Sequence, residues 1–262
     1  MIDIHCHIIP AIDDGSKDLA SSIGQLLAMD AGGITHAFLT SHYLKGHYEY
    51  SREEYMKKLE ELQQALKAKG AKLKLIPGFE VFLSPTILED VKEKNLTLGD
   101  SKYVLIETEL NGLYHDFEHY TFDLLRAGYK PILAHAERYV SVMRKPSKVR
   151  DLIERNVYIQ VNTGSLVGQY GEKVRQTAWI LLDNGWAHLL GSDDHVRGPY
   201  TSYFEAVEKI KHRIDKRTAQ LLSREHALMV LADEEIPYKY VHVERPHHHR
   251  SRSKSFWRWL FG

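Results

Sequence analysis

The chain carries a pair of metal-type side chains, one residue apart, near each end of its ordered-looking part. Near the start it reads Asp3-Ile4-His5-Cys6-His7, and near position 190 it reads Ser192-Asp193-Asp194-His195. Each pair follows an apolar run. Alternate side chains of an extended strand point to the same side, so His5 and His7 project together, as do Asp193 and His195. Two such pairs from opposite ends of a domain share a site only if the chain closes on itself. A barrel of parallel strands does that, and the catalytic groups of such barrels gather at strand ends.

The pattern between the pairs supports this. Strands are expected at 1–5, 35–40, 73–80, 103–107, 131–135, 157–161 and 188–190, the third broken at Pro77-Gly78. Helices are expected at 19–31, 114–127, 146–155, 173–183, 202–213 and 217–231. Another opens at the capping box Ser51-Arg52-Glu53-Glu54 and ends at Gly70. Asp13-Asp14-Gly15-Ser16 reads as a turn, with Ser16 as the cap of the first helix. Strand and helix alternate about seven times with short connections, which means parallel strands and crossover helices. An open doubly wound sheet is the alternative. The barrel is favoured because ligand-type residues end almost every strand, including the first and the last. In an open sheet those two strands lie too far apart to share one site.

Composition narrows the function classes. The chain has 262 residues, enough for one large α/β domain with a buried core. Lysine plus arginine equals aspartate plus glutamate at 35 each, so charge gives no general pull toward nucleic acid. The single cysteine, Cys6, excludes an internal disulfide and suits a reducing cytoplasm. The N-terminus has no basic leader before an apolar stretch, and no apolar run approaches a membrane span. A cytoplasmic location is expected.

The strand-end inventory is His5, His7, Asp14, His42, Glu80, Glu107, His135, Asp193 and His195. Imidazole and carboxylate donors suit manganese, iron or zinc, and the lack of a thiolate cluster excludes a zinc finger. Nine donors exceed one ion and suffice for two or three. Clustered ions polarise a phosphate and generate hydroxide at neutral pH. No GxGxxG and no P-loop lysine motif competes. A lone strand-end histidine is more often a packing residue, and His36, His47, His115, His119, His188, His212, His226 and His242 take that reading. Cysteine-phosphatase chemistry needs an arginine six residues after the cysteine, and Ile12 stands there instead. Cys6 lies between two ligand-type residues and is expected to face away as a small buried hydrophobe.

Met1-Ile2-Asp3-Ile4-His5-Cys6-His7 followed by Asp13-Asp14-Gly15 resembles the opening of the polymerase-and-histidinol-phosphatase (PHP) superfamily. More narrowly, the chain resembles the bacterial tyrosine phosphatases of capsule and exopolysaccharide operons, the CpsB/CapC/YwqE type. Thr40-Ser41-His42, Gly78-Phe79-Glu80, Leu105-Ile106-Glu107, Ala134-His135-Ala136-Glu137-Arg138-Tyr139, Gln160-Val161-Asn162 and Ser192-Asp193-Asp194-His195 carry the likeness onward, from residue 1 to about 232. The resemblance implies a distorted (β/α)7 TIM-like barrel of the PHP type, with two or three divalent ions, foremost manganese. It implies one ion on His5, His7, Glu80 and Asp193. A second takes Glu80, Glu107 and His135, with Glu80 bridging, and a third takes Asp14, His42 and His195. Asp194 is expected to be structural. Arg138 and Arg197, which follow two of the ligand strands, are implied to grip phosphate through planar guanidinium groups. In the relatives the second arginine lies further from its histidine than Arg197 does.

The implied activity is hydrolysis of phosphotyrosine, on a tyrosine kinase controlling capsular or exopolysaccharide synthesis. The alternatives are a small-molecule phosphoesterase, such as a histidinol-phosphate phosphatase, and a non-catalytic metal-bound scaffold. The barrel is expected over 1–232 and a basic, aromatic tail over 233–262. There Arg245, Arg250, Arg252, Lys254 and Arg258 accompany Phe256-Trp257-Arg258-Trp259-Leu260-Phe261. Basic residues ahead of aromatics suit anionic lipid headgroups, so peripheral contact with the inner face of a membrane is the expectation for the tail.

Overall fold

Seven strands form one parallel sheet in chain order, and the sheet curls until its last strand meets its first. The computed structural model describes residues 1–111, 113, 116–236 and 241. The strands are β1 (Ile2–Cys6), β2 (His36–Tyr43), β3 (Lys74–Phe82), β4 (Tyr103–Glu107), β5 (Lys130–Leu133), β6 (Tyr158–Asn162) and β7 (Leu189–Gly191). Between them run α1 (Leu19–Ala31), α2 (Arg52–Ala68), α3 (Ile87–Lys94), α4 (Phe117–Arg126), α5 (Val140–Arg144), α6 (Lys148–Glu154), α7 (Thr163–Val167) and α8 (Glu172–Asp183). After β7 come α9 (Ser202–Arg213), α10 (Lys216–Gln220) and α11 (His226–Leu231), the last two joined by one wider turn. Closure is made just past β7. The Asp193 N–H donates to the His5 carbonyl at 2.7 Å, and the His7 N–H donates to the Asp194 carbonyl at 2.8 Å.

The expected barrel is therefore present, and most element positions agree within a few residues. Three local readings need correction. The first helix is capped by Asp18, whose carboxylate accepts from the Ser21 N–H, and not by Ser16. β3 runs unbroken through Pro77. The Pro77 carbonyl faces Gly99, and pairing with β4 starts only at Glu80. The missing N–H of Pro77 thus falls where β3 has no strand partner on that side. Helix α3 was not expected; it is short, and its cap Thr86 makes no side-chain capping bond. At the end of β6, Asn162-Thr163-Gly164 leads directly into the short helix α7.

Two apolar layers result. Ile2, Ile4, Phe38, Tyr103, Leu105, Ile132 and Leu189 fill the barrel, closed at one end by Ala227 and Val230 of α11. A second layer packs the outer strand faces against the helices, with Cys6, Leu39, Val104, Leu133 and Val161 among its residues. Strict alternation would put His5 on the same face as Asp3. A register shift between Asp3 and Cys6 prevents this: Ile2 pairs with His36, yet Cys6 pairs with Leu39. Such a bulge re-aims side chains. Ile4 and His5 both serve the interior as a result, and Cys6 turns out toward the helices, as expected.

The chain just past Ala232 packs on the barrel. The Tyr103 hydroxyl donates to the Glu234 carbonyl at 2.8 Å, and Ile236 is buried. The Val241 N–H donates to the Gly185 carbonyl at 2.9 Å. Gly185 has φ +70°, and a Cβ there would meet the Val241 carbonyl oxygen at 1.9 Å, so this approach requires glycine. The basic and aromatic residues of the tail, with His242 and the loop positions Tyr114 and His115, lie outside the described residues. No helix of the described residues is long and apolar enough to cross a membrane.

Candidate metal centre

The C-terminal mouth of the barrel gathers all nine ligand-type side chains. The same inward rows that are apolar lower in the barrel end in polar groups here. Phe38 and Thr40 lead up β2 to His42, Gly78 leads to Glu80, and Leu105 leads to Glu107. Two positions need more than alternation. β5 ends at Leu133 and the backbone turns left-handed at His135, with φ +36°. β7 ends at Gly191, and Asp193 and Val196 have φ +55° and +58°. The Asp193–His195 pair is thus set by a strained turn rather than by a strand. Its side chains still converge, with Oδ1 of Asp193 3.6 Å from Nδ1 of His195. Non-glycine residues in this region cluster at functional sites.

Glu80 sits at the centre, fully buried. Its Oε2 lies 3.2 Å from Nε2 of His5, 3.3 Å from Nε2 of His7 and 3.1 Å from Nδ1 of His42. Its Oε1 lies 2.9 Å from Nε2 of His135. Asp193 Oδ1 stands 3.5 Å from the same nitrogens of His5 and His7. Asp14 Oδ1 lies 3.1 Å from Nε2 of His195 and 3.5 Å from Nε2 of His42. Among the described residues, three groups have donor atoms close enough to hold an ion: His5, His7, Glu80 and Asp193; His42, Glu80 and Glu107; and His7, Asp14, His42 and His195. The first matches the implied set. In the second, His42 stands where His135 was expected: its Nδ1 is 2.9 Å from Glu107, against 3.8 Å for Nε2 of His135. The third gains His7.

The tautomers decide whether this cluster fits a cation. Nδ1 of His5 meets the Gln160 side-chain carbonyl at 3.1 Å, and Nδ1 of His7 meets Asp13 Oδ2 at 2.9 Å. Nδ1 of His195 meets the Asp193 backbone carbonyl at 2.9 Å. Each partner is an acceptor, so each Nδ1 carries a proton, and in the neutral imidazole each Nε2 presents a lone pair. Yet Nε2 of His5 and Nε2 of His7 are 3.1 Å apart and face two carboxylates. Glu80 Oε2 is buried without a hydrogen-bond partner among the described residues. Lone pairs and anionic oxygens aimed at one point fit a divalent cation, and outer acceptors that fix imidazole tautomers accompany metal ligands.

These outer groups were the part missed in the sequence. Gln160 also accepts from the His135 N–H at 2.9 Å and donates to Asn162 at 2.8 Å. Asn162 donates to Asp193 Oδ2 at 2.7 Å. Asp13 accepts from the His42 N–H at 3.0 Å as well as holding His7. Gln160 and Asn162 are two apart on β6, a spacing that could have marked them as inward-facing. Asp194 turns away to accept from Gln25 at 2.7 Å and is structural. His188 and His226 are buried packing residues that bond to backbone.

Arg138 is mostly buried beside the cluster. Its Nη1 donates to Asp193 Oδ2 at 2.7 Å, and its guanidinium lies 4.5 Å from the Tyr170 ring. Arg197 is exposed and donates to Asp14 Oδ2 at 2.9 Å. A cavity of about 340 Å³ opens beside Arg197, walled by Tyr170, Asp193, His195, Arg197 and Tyr200 among others. Cys6 takes no part: burial pushes its thiol well up, and its sulfur faces the Phe38 carbonyl at 3.3 Å. Replacing Cys6 with serine should leave turnover within a few-fold, since no thiolate nucleophile is involved. Complete loss of turnover in a folded, metal-replete variant would contradict this.

A parallel barrel with imidazoles and carboxylates clustered at one mouth is the architecture of the PHP-type barrel proteins. The chain belongs to the CpsB/CapC family: the family model described as capsular polysaccharide synthesis, CpsB/CapC, matches residues 1–232. The tyrosine-protein phosphatase YwqE of Bacillus subtilis (strain 168) is 33% identical over 196 residues, 74% of this chain and 77% of its own. The tyrosine-protein phosphatase CpsB of Streptococcus pneumoniae is 29% identical over 243 residues, 89% of this chain and 99% of its own. A solved structure from work on YwqE and CpsB, described as unique metal-dependent tyrosine phosphatases, superposes with a TM-score of 0.85. It is 30% identical, and the match covers 94% of this chain and 100% of that one. A histidinol phosphate phosphatase from Lactococcus lactis shares the fold at a TM-score of 0.55 and 14% identity, over 85% and 94% of the two chains.

Proposed function

We propose that this chain is a metal-dependent protein-tyrosine phosphatase acting on a phosphorylated tyrosine kinase of capsule or exopolysaccharide synthesis. The observation that carries the reading is the cluster of inward lone pairs and carboxylates with an arginine anchored at its rim, in a chain of this family. His5, His7, Glu80 and Asp193 would hold one ion. Glu80 and Glu107, with His42 or His135, would hold a second, and Asp14, His42 and His195 a third. Manganese is the ion proposed. Such ions supply Lewis acidity toward a phosphate and lower the pKa of water.

The chain's own residues do the rest. Arg138 is held by its Nη1, and among the described residues its other guanidinium donors bond to nothing. They are free to take the phosphate oxygens. Arg197, at the exposed rim, meets the phosphate from the Asp14 side. Gln160, Asp13 and Asn162 keep the imidazoles and Asp193 in the orientation described. The cavity beside Tyr170 and Arg197 receives the aryl group. A substrate panel on the metal-loaded protein tests the reading: phosphotyrosine peptides should exceed histidinol phosphate and other small esters in kcat/KM. The reverse order would move the chain to the small-molecule phosphoesterases.

Replacing Arg138 with alanine should lower kcat/KM about ten- to a hundredfold, since a charged hydrogen bond contributes roughly 1.5–3 kcal/mol. Metal content should hold, because Asn162 still anchors Asp193 Oδ2. Unchanged kinetics would demote Arg138 to a structural residue. Peripheral membrane contact is also proposed, from the basic and aromatic tail, and a cytoplasmic location, from the single cysteine. Deleting everything after Val241 should then spare aryl phosphate turnover and reduce partitioning onto anionic vesicles at low salt. Equal partitioning of the two forms would end the membrane reading.

A further inference from the structure

We propose that Tyr170 is a positioning residue that fixes the Arg138 guanidinium for phosphate; the inference rests on the phosphatase reading above. Arg138 is gripped from two directions. Asp193 Oδ2 takes its Nη1 at 2.7 Å, and the Tyr170 ring lies against the guanidinium at 4.5 Å. One hydrogen bond leaves a guanidinium free to pivot about that contact. A ring face against its plane removes the pivot, and Arg stacked on an aromatic is favourable in itself.

The Asp193 carboxylate divides its work in a way that makes the second grip necessary. Its Oδ1 faces His5, His7 and His195, while its Oδ2 serves both Arg138 and Asn162. The carboxylate is therefore committed to the cluster and orients Arg138 through one shared oxygen. Tyr170 is the other contact that sets the guanidinium plane.

Tyr170 is itself held. It lies in the link between α7 and α8, between Gly168 and Gly171, which have φ +97° and +90°. The Gln169 N–H donates to the Gly164 carbonyl at 2.9 Å, and a Cβ at Gly164 would come within 3.1 Å of the Tyr170 ring. The ring and the Gln169 side chain both pack at Gly164, where the glycine leaves room for them. The link also hands the ring to the cavity beside Asp193, His195 and Arg197, so Tyr170 stands between Arg138 and the space for the aryl group.

The test is a double-mutant cycle on the metal-loaded protein, read as kcat/KM for a phosphotyrosine peptide and as affinity for inorganic phosphate. Tyr170→Leu should lower both about three- to tenfold, the size of one cation–π contact. Tyr170→Phe should restore both, because the ring face and not the hydroxyl is required. In an Arg138→Ala background, Tyr170→Leu should have no further effect. Equal losses in both backgrounds would overturn the inference and assign the ring to the substrate, and no loss in the wild-type background would overturn it as well. Metal content and the melting transition of each variant show that it is folded. If the wild-type protein binds inorganic phosphate yet fails to hydrolyse phosphotyrosine, the phosphatase reading falls. The phosphate affinities then still decide whether Tyr170 acts through Arg138.

Discussion

Glu80→Gln is expected to strip the centre of its ions and cut turnover more than a hundredfold while leaving the barrel folded. Glu80 lies within about 3.3 Å of four imidazoles, those of His5, His7, His42 and His135. The amide keeps the shape and removes the charge. It also puts an N–H₂ donor or a weaker carbonyl where Oε2 now faces three nitrogens. Loss of groups that merely orient ligands costs roughly ten- to a hundredfold in metal affinity or activity, so a ligand shared by two ions costs more. Elemental analysis and phosphotyrosine turnover check it together. A glutamine variant with full metal content and activity would remove Glu80 from the centre and with it the bridging arrangement.

The contrast with Arg138 separates two kinds of loss. Arg138→Ala should weaken substrate handling with the ions still bound, whereas Glu80→Gln should lose the ions themselves. Tyr170 belongs with Arg138 in this division, since its ring lies against the guanidinium.

The barrel and several of the ligand-type residues were legible in the sequence because two simple periodicities carry them. Apolar runs at period two ended in His42, Glu80 and Glu107, and the intervening helices marked the strands as parallel. For Asp193, His135 and His5 the simple alternation gave an incomplete geometry. The first two sit on left-handed backbone, and the third is aimed inward by a bulge. Neither device has a composition of its own that a single sequence displays. The orienting residues Gln160, Asn162 and Asp13 were hidden for another reason. Each acts on a partner distant in the chain or held by a turn, as in Gln160 to His5 across 155 positions, and nothing local shows which ring nitrogen will need an acceptor. Pro77 misled because a proline reads as a break, and only the one-sided pairing of β3 at that point makes it harmless.

Removing the divalent ions is expected to abolish turnover and to leave a protein whose stability depends on pH in the opposite sense to metal binding. Without ions the cluster is balanced by protons. Burial alone would lower His5 and His7, but Glu80 and Asp193 raise the first, and Asp13, Asp193 and Glu80 carry the second well above the ordinary imidazole range. Burial likewise opposes His42, and bonding to Asp14 and Glu107 lifts it to about 10. Burial would raise Glu80 and Asp193, yet the charge on His5 holds both below the ordinary carboxylate range. A raised histidine contributes stability that is complete below its unfolded pKa near 6.5 and is lost as pH climbs to its folded value. A depressed carboxylate contributes stability present above roughly pH 4 and lost as pH falls through its folded value. The metal-free protein is therefore most stable between about pH 4 and 6.5 and weakens toward pH 10. Ions need the imidazoles neutral, so their affinity, and the stability they add, grow with pH. The gap in melting temperature between loaded and stripped protein should widen from about pH 6 to about pH 9. A gap that stays constant or narrows over that range would mean that protons and ions do not compete for the same nitrogens, and the centre would have to lie elsewhere.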